Sequence, residues 1–453
     1  MDTPGVLAIL LFLLVCICLL NAFSIIDKAR RVYVFGLPIA MNYAVMISYA
    51  VDKKSNQYKA PFNVINNQHR VYTYKDTSVI SPNSDTPYSM MWLDLRNGPM
   101  VLSVPEIKDR YYSVQMIDSS TYNYGYIGTR TTGTEEGSYL IGHGPMSRML
   151  PKGIKRVYHA SSPLSLLIVR TQLLGPEDMP NVVKIQNKLK LQSLHEFDGS
   201  PNVVGTPLPP FKEYTNNDIK VKFLEVLDAA LQYVPADKYS KGVYKLLGDM
   251  GIGPKKVDNY SEKPEWYKWL ANIGISWGEQ DVSKAVKQIP KINGWGIVKI
   301  KAGMDDYAGN WLKRALVAKV GIYANNYDEA FYPISYNDCS GKTLSGSNKY
   351  YIDMRLDNLP PVHAFWSITM YDANTRLLVK NPIDRYLINS SMVSSMKTKN
   401  KNIRLYIQKD SPGKDLETNW LPSPSGTFYL ILRLYYPKEK ATSGHWRPYV
   451  ICN

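Results

Sequence analysis

Apolar and polar residues alternate with a period of two in two widely separated segments, residues 110–118 and 365–372. The apolar positions are Tyr112, Val114 and Met116 in the first segment and Trp366, Ile368 and Met370 in the second. Each segment follows an earlier apolar run, which begins at Tyr88 or at Tyr351, and turn-forming residues separate the runs. A period of two indicates a strand that buries one face. The sequence therefore predicts a β unit that occurs twice, with the run from Tyr88 corresponding to the run from Tyr351.

Between the two β regions the apolar residues recur every three or four positions, for example over residues 219–234 and 311–320, which predicts helices. The predicted fold class is mainly β with helices: two β-sandwich domains related by an internal repeat, joined by a helical segment, behind one N-terminal transmembrane helix. The predicted boundaries are 1–26 for a transmembrane anchor (or signal), 27–59 for a helical lead-in, 60–180 for the first β-sandwich domain, 181–325 for the helical connecting segment and 326–453 for the second β-sandwich domain. Within the lead-in, Gly36 and Pro38 predict a break in the helix.

The N-terminus carries a long apolar run. Residues 3–26 include no charged side chain, and with its flanks the apolar block 6–20 approaches the roughly 20 residues that cross a bilayer. A secretory signal is the alternative, but a signal has a basic start and a small-residue cleavage site. Asp2 and the sequence Asn-Ala-Phe-Ser at 21–24 fit neither, so we favour an uncleaved, single-pass membrane anchor. Basic residues from Lys28 to Arg31 follow the run, which favours a cytosolic body; secretion and association with a viral particle are the alternatives.

Composition restricts the partners. The net charge of the 453-residue chain is +15, but its basic clusters are short and typical of solvated surface, so no nucleic-acid partner is predicted. The sequence has no phosphate loop, dinucleotide fingerprint, nucleophile elbow or metal-ligand spacing, so no cofactor and no metal site are predicted. Cys339 and Cys452 are the two cysteines outside the apolar block, and whether they pair is left open, as is the oligomeric state.

Seven short segments resemble one pair of protein families; they are residues 83–89, 109–112, 127–133, 364–372, 384–386, 419–422 and 432–435. The chain resembles, from about residue 33 to residue 448, the domain-of-unknown-function families numbered 1254, in its N-terminal half, and 1214, in its C-terminal half. The resemblance implies two β-sandwich domains with helices between and around them, in soluble or secreted bacterial proteins and in some viral ones. It implies no common activity. Hydrolase activity has been suggested for some members, without a shared catalytic motif.

A dense group of polar residues precedes the first duplicated strand. Asn83 and Asp85 stand in a turn bounded by Pro82 and Pro87. A carboxylate and an amide on a rigid turn are able to bind a ligand or to act as acid or base, although such residues usually bond to their own backbone. Asp85 is therefore a catalytic candidate, together with His69 and Arg110, and Asn83 is a ligand-binding candidate.

Arginines interrupt several apolar strands, at positions 110, 130, 170, 385 and 433. A buried arginine requires a carboxylate or a bound anion. The structural alternative is a pair with Asp85, Asp94, Asp118 or Asp372; the functional one is an anion pocket, for which Arg130, beside a Gly-rich turn, is the first candidate. The aromatic candidates for ligand contact are Trp366 and Tyr371, with burial in the core as the alternative.

Two hypotheses about function follow. The first is a ligand-binding or structural module displayed from a membrane or a particle, with a small anionic ligand as a candidate partner. The second is a hydrolase that acts on a small anionic or ester-type substrate. Convergence of Asp, Arg and His side chains in a cleft would favour the hydrolase, whereas pairing of these polar residues inside the core would favour the module.

Overall fold

The computed structural model describes residues 3–76, 81–146, 151–201, 210–256 and 258–453, with side chains from Val6 onward. The helices are α1 (Thr3–Met46), α2 (Met179–Asn187), α3 (Leu194–Asp198), α4 (Asn216–Val221), α5 (Phe223–Leu231), α6 (Lys241–Asp249), α7 (Glu265–Lys287), α8 (Met304–Tyr307), α9 (Trp311–Gly321) and α10 (Glu439–Thr442). In the described residues one helix, α1, is long and apolar enough to cross a membrane.

The first sandwich is built from nine strands. They are β1 (Asn66–Asn67), β2 (Tyr88–Asp94), β3 (Met100–Val104), β4 (Tyr112–Asp118), β5 (Asn123–Gly128), β6 (Gly137–His143), β7 (Ile154–Ala160), β8 (Leu164–Thr171) and β9 (Lys190–Ser193). A five-stranded sheet in the order β1-β2-β8-β4-β5 packs on a four-stranded sheet in the order β7-β6-β3-β9. Alternate residues of both sheets, such as Leu102, Val114 and Leu167, form the apolar core between them. Strand β9 belongs to this sandwich although it follows residue 180.

The second sandwich is formed by the C-terminal strands. They are β10 (Lys291–Ile292), β11 (Trp295–Gly296), β12 (Ala330–Phe331), β13 (Ile334–Ser335), β14 (Tyr350–Arg355), β15 (Trp366–Asp372), β16 (Leu387–Asn389), β17 (Thr398–Lys399), β18 (Asn402–Gln408), β19 (Trp420–Pro422) and β20 (Phe428–Tyr435). The larger sheet has the order β10-β11-β13-β20-β15-β16, with β12 also paired to β20. The smaller sheet has the order β14-β18-β17, with β19 paired to β18. Ile352, Ile368 and Leu405 lie in the core between the two sheets.

The two sandwiches share one topology, which confirms the internal repeat. Strand β4 pairs with β8, and β15 pairs with β20, in equivalent registers: Met116 lies opposite Leu167, and Met370 lies opposite Leu430. In the smaller sheet of each sandwich, one pair of strands is parallel, β6 with β7 and β18 with β19. Met116 and Met370 therefore occupy equivalent strands, as the alternating pattern predicts.

The predicted correspondence of Tyr88 with Tyr351 is wrong. Tyr351 lies in β14, in the smaller sheet, whereas Tyr88 begins β2, which pairs with β8 in the larger sheet of its sandwich. The counterpart of β2 is the interrupted strand β12–β13, which pairs with β20 as β2 pairs with β8. Pro333 separates its two halves and has no N–H to donate to a sheet. Each half is two residues long, too short to show a period of two.

Helix α1 runs without interruption for 44 residues, so the expected break at Pro38 is absent and the predicted anchor and lead-in form one helix. Its first half is exposed, and from Ile25 onward its residues are packed in a layer with α5, α7 and α9. Loss of the Pro38 hydrogen bond costs about 3 kcal/mol in a helix. Burial of neighbours such as Phe35 and Ile39 offsets this cost, because each buried large apolar side chain contributes about 2 kcal/mol.

The helical layer covers one end of the outer face of the five-stranded sheet, where Trp92, Ile117 and Leu166 join its core. The other end of that face carries Tyr88, Ser113 and Arg170, which are neighbours across β2, β8 and β4. The second sandwich covers this end. Strands β4 and β8 are consequently buried on both faces.

Candidate functional site

The turn before β2 packs against the outer face of β15 and β20 and so joins the two sandwiches. The hydroxyl of Tyr371 donates to the carbonyl of Pro82 at 2.6 Å, and Arg433 donates to the carbonyl of Ser81 at 3.3 Å. Asn83 Nδ2 donates to the hydroxyl of Tyr435 at 2.6 Å. The buried polar residues Asn83, Asp85, Arg170, Glu329 and Arg433 are hereafter called the interdomain cluster.

Asp85 is fully buried in this cluster. Its Oδ2 accepts a hydrogen bond of 2.6 Å from Ser367 Oγ of the second sandwich, and its backbone N–H donates to Asn83 Oδ1 at 2.6 Å. Its Oδ1 has no hydrogen-bond partner among the described residues. Burial raises the pKa of the Asp85 carboxyl to about 6, against the opposing effects of the Arg433 charge and the Ser367 hydrogen bond.

Glu329 is the second buried carboxylate, and it belongs to the second sandwich. Its Oε1 accepts a hydrogen bond from Tyr111 at 2.6 Å, and its Oε2 accepts one from Arg130 Nε at 2.6 Å. Burial raises the pKa of Glu329, and the charge of Arg130 and the Tyr111 hydrogen bond oppose that rise. Both partners belong to the first sandwich, so this group also connects the domains.

Two buried arginines face the interface from equivalent strand positions. Arg170 lies opposite Ser113 on β4, and Arg433 lies opposite Ser367 on β15. Arg170 donates to Gln115 at 2.8 Å, and Arg433 donates to Thr369 at 2.9 Å, in each case the residue two positions after the serine. Each guanidinium also lies over a tyrosine ring: 5.5 Å from the centre of the Tyr88 ring for Arg170, and 5.8 Å from that of Tyr332 for Arg433. Neither arginine forms a salt bridge within the described residues.

The carboxylates obey the same internal symmetry. Asp85 lies three residues before Tyr88, and Glu329 lies three residues before Tyr332. Asp85 reaches from the first sandwich to the second, and Glu329 reaches from the second to the first. This reciprocal pattern is the arrangement of an isologous dimer interface, built here within one chain.

The predicted site residues are therefore only partly brought together. Asn83, Asp85 and Tyr371 meet in the interface, and Tyr371 also accepts a hydrogen bond from Arg433 at 2.8 Å. Trp366 lies in the core of the second sandwich, which is the alternative stated for it above. His69 is exposed, and within the described residues no hydrogen bond joins it to the cluster.

The two candidate arginines of the first sandwich are both paired. Arg110 forms a bidentate ion pair with Asp178, at 2.6 and 3.0 Å, which is a structural pair with a carboxylate that the sequence does not single out. Arg130 is the first candidate for an anion pocket, with a pair to a carboxylate as the structural alternative. It pairs with Glu329, whose side chain is 1% exposed, and with Asp328 at 3.4 Å. The structural alternative is therefore the arrangement observed, with partners that lie in the other half of the chain.

Sequence reasoning missed Glu329, Gln115 and Tyr332. One signal was available: an acidic residue followed three positions later by tyrosine occurs immediately before β2 and again at Glu329 and Tyr332. Alignment of residues 85–88 with residues 329–332 gives the register that the strands adopt. Alignment of the longer apolar runs does not.

The best-formed cavities lie away from the interdomain cluster. In the described part of the chain, the two best-formed cavities each have a free volume of about 10 Å³, enough for about one water molecule. One lies beside Asn42 and Tyr43, and the other beside Tyr307 and Arg314, so neither is at the interdomain cluster. The described residues also include no group of three or more His, Cys, Asp or Glu side chains that could hold a metal ion.

These observations define a protein of two β-sandwiches joined through a buried, internally symmetric polar interface. Residues 62–193 match the family model described as protein of unknown function (DUF1254). Residues 329–439 match the model described as protein of unknown function (DUF1214). The two matches cover more than half of the chain, in the predicted halves, and the chain belongs to the family that combines these two domains.

A solved structure shares the fold. The chain is similar to the VPA0106 protein from Vibrio parahaemolyticus, with a TM-score of 0.71 and 23% sequence identity over 94% of this chain and 99% of that one. A putative uncharacterized protein from Burkholderia cenocepacia aligns with a TM-score of 0.43 and 11% identity, over 95% of this chain and 94% of that one. No curated protein matches the sequence.

Proposed function

We propose that this protein is a membrane-anchored ligand-binding or structural module, whose two sandwiches are held as one rigid body. The observation that carries the proposal is the dual nature of α1. Its residues 6–20 are exposed along an apolar surface, whereas from Ile25 the same helix is buried in the body. An apolar helix of this length is stable in a bilayer, where every backbone hydrogen bond is satisfied within the helix.

The position of α1 in the body supports an uncleaved anchor rather than a signal. Residues 21–24, the candidate cleavage region, lie within the helix and are followed at once by buried Ile25 and Ile26. The basic residues Lys28 and Arg31 follow directly and support a cytosolic body. In this arrangement the membrane segment and the core of the body are parts of one rigid element.

The polar signature residues support a structural role for the interface. The side chains of Asn83, Asp85 and Tyr371 form hydrogen bonds between the sandwiches. The hydrolase alternative retains one favourable observation, the raised pKa and unpartnered Oδ1 of Asp85. If Asp85 were a catalytic residue, Asp85→Asn would abolish hydrolysis of small esters by the purified protein while preserving its fold.

The anchor is tested by fractionation of the full chain and two variants. A chain without residues 1–24 should leave carbonate-washed membranes and remain folded, as judged by near-ultraviolet circular dichroism. Leu14→Arg, in the exposed apolar segment, should also reduce insertion, because an arginine at mid-membrane costs about 3 kcal/mol. The matched control, Val221→Arg, changes an exposed residue of α4 and should remain in the membrane.

Two results would contradict the anchor. One is a full chain that is recovered in the soluble fraction, or whose N-terminus is found by mass spectrometry to begin near residue 24. The other is retention of the truncated chain in washed membranes, which would require a further attachment site.

A further inference from the structure

Helix α7 carries a row of exposed aromatic residues. The row begins near the end of the exposed apolar part of α1, residues 6–20, which is called the apolar segment below. Trp266, Trp269, Ile273 and Trp277 follow one another at helical spacing along one side of α7. Trp266 is 59% exposed, Trp269 is 64% exposed and Trp277 is 40% exposed. Exposed tryptophans are unusual in a soluble surface and indicate contact with a partner or a membrane.

Glycines fix how α7 lies against α1. A Cβ at Gly274 would lie 2.8 Å from Ala29 Cβ, and a Cβ at Gly278 would lie 2.8 Å from the carbonyl oxygen of Arg30. Two glycines four residues apart let helix backbones approach this closely. Because the later glycine meets a later part of α1, the two helices run in the same direction.

The N-terminal end of α7 therefore points toward the apolar segment. Trp269 and Trp266 precede Gly274 by five and eight residues, about 8 and 12 Å at a rise of about 1.5 Å per residue. This places them level with residues 20–23 of α1, where Leu20 and Phe23 are exposed. Trp277 follows Gly274 and lies about 12 Å beyond Trp269, away from the apolar segment.

We infer that Trp266 and Trp269 insert into the interfacial layer of the lipid bilayer and form a second membrane contact of the body. This inference rests on the proposed anchor. The order along the helix axis supports it: the apolar segment comes first, the two tryptophans lie beside its end, and the exposed Arg31 follows. Membrane proteins show this succession, with tryptophan concentrated at the boundary between hydrocarbon and water. The indole N–H can bond to headgroups and water while the ring remains in an apolar layer.

We infer that lipid rather than a protein contacts these tryptophans, because they lie beside the exposed apolar surface of α1, which in the proposed anchor is surrounded by lipid. The exposed side of α1 at Leu20 and Phe23 and the N-terminal end of α7 lie at the same height. Farther from the apolar segment of α1, the next tryptophan of the row, Trp277, is less exposed, and the row ends before the polar residue Gln280.

The test is tryptophan fluorescence of the full chain in phosphatidylcholine vesicles that contain a lipid spin-labelled at carbon 5, a shallow quencher. Apart from Trp277, the other tryptophans are Trp311, which is partly buried, and five buried ones, Trp92, Trp295, Trp366, Trp420 and Trp446. The variant with both Trp266→Phe and Trp269→Phe should lose most of the lipid-dependent quenching. Trp277→Phe, a control on the same helix face, should retain it.

The outcomes separate the inference from the anchor on which it rests. Each sample is first floated with its vesicles on a density gradient, and a full chain that does not float contradicts the anchor itself. If the chain floats and the double variant is quenched as strongly as the Trp277→Phe variant, the interfacial contact is wrong. Protection of Trp266 and Trp269 from both the lipid quencher and aqueous acrylamide would also overturn it, because a second protein would then cover them.

Discussion

Arg170 and Arg433 are equivalent residues of the two sandwiches, and each lies between a serine on one neighbouring strand and a tyrosine on the other. Each binds a polar side chain of its own sheet, Gln115 or Thr369, and faces the other domain. The charge of Arg433 lowers the pKa of Asp85, and the charge of Arg170 lowers the pKa of Glu329, although neither pair forms a salt bridge. The repeat thus extends from the strands to the chemistry of the interface.

Truncation of either arginine should destabilise the body to a similar extent. Arg170→Met or Arg433→Met removes a buried hydrogen-bonding charge that interacts with a buried carboxylate, at an expected cost of about 3 kcal/mol. Urea unfolding of the chain without residues 1–24 measures this cost. Arg156→Met, at an exposed position on β7, is the control and should change little. If only one of the two substitutions lowers the free energy of unfolding, the two arginines occupy equivalent positions but do not contribute equally to stability.

Arg130 should be essential for stability. Arg130→Ala leaves Glu329 buried with Tyr111 as its remaining side-chain partner, and we expect a loss of about 3 kcal/mol. Removal of the guanidinium raises the pKa of Glu329 further, so the deficit should shrink as the pH falls and the carboxyl takes up a proton.

Arg404 provides the comparison for that variant. It pairs with Asp353 at 2.7 Å, but its side chain is 47% exposed, and Arg404→Ala should cost less than about 1 kcal/mol. Equal effects of the two substitutions would show that Arg130 and Glu329 are not coupled in solution.

Asp85 should make the body less stable as the pH rises from 5 to 7. Its pKa is about 6 in the folded chain and near 3.8 when exposed, so the folded state holds the proton more tightly. The stabilisation is complete below about pH 4 and is lost as the pH passes through 6. Asp85→Asn cannot ionise and should gain up to about 3 kcal/mol relative to the native chain between pH 3.5 and pH 7.5, about half of it above pH 5.

Burial also raises the pKa of Asp118 to about 6 and raises the pKa of Glu329, so the Asp85→Asn variant should keep more than half of the pH dependence. Thermal unfolding across this pH range checks the prediction, with Asp353→Asn as an exposed control. A pH profile that Asp85→Asn leaves unchanged would mean that Asp85 remains ionised when folded.

The thiols of Cys339 and Cys452 should form a disulfide under oxidising conditions. Both are free in the structure, and the N–H of Cys339 donates to the carbonyl of Ile451, the residue before Cys452, at 2.8 Å, which brings the two side chains to the same place. Oxidation would close a long loop and stabilise the body by about 2–4 kcal/mol. The fraction of chain that forms the disulfide is measured by the gel shift after labelling with a maleimide polymer. The Cys339→Ser variant, which cannot form this disulfide, is the control. In a cytosolic body both thiols should be labelled without a reductant.

The alternating strands predicted the repeat because β4 and β15 are long enough to show a period of two. They did not predict the interface. A polar residue on such a strand, for example Ser113, normally faces water, and the sequence does not reveal that a second sandwich covers it. Arg130 and Glu329 are likewise separated by nearly 200 residues, so their pairing depends on how the domains dock. Helix α1 continues through Pro38 because it packs against α5, and this packing stabilises the helix by more than the proline destabilises it. The sequence around Pro38 does not reveal this packing.

If residues 6–20 cross the membrane as proposed, the continuity of α1 from this segment into the core has a mechanical consequence. A domain on a flexible tether samples all orientations, whereas a body fused to its anchor without a hinge rotates only about the membrane normal. Its faces then remain at constant heights above the bilayer. Neighbours that diffuse in the same membrane would meet the same side at the same level, so less orientational entropy is lost in each lateral encounter.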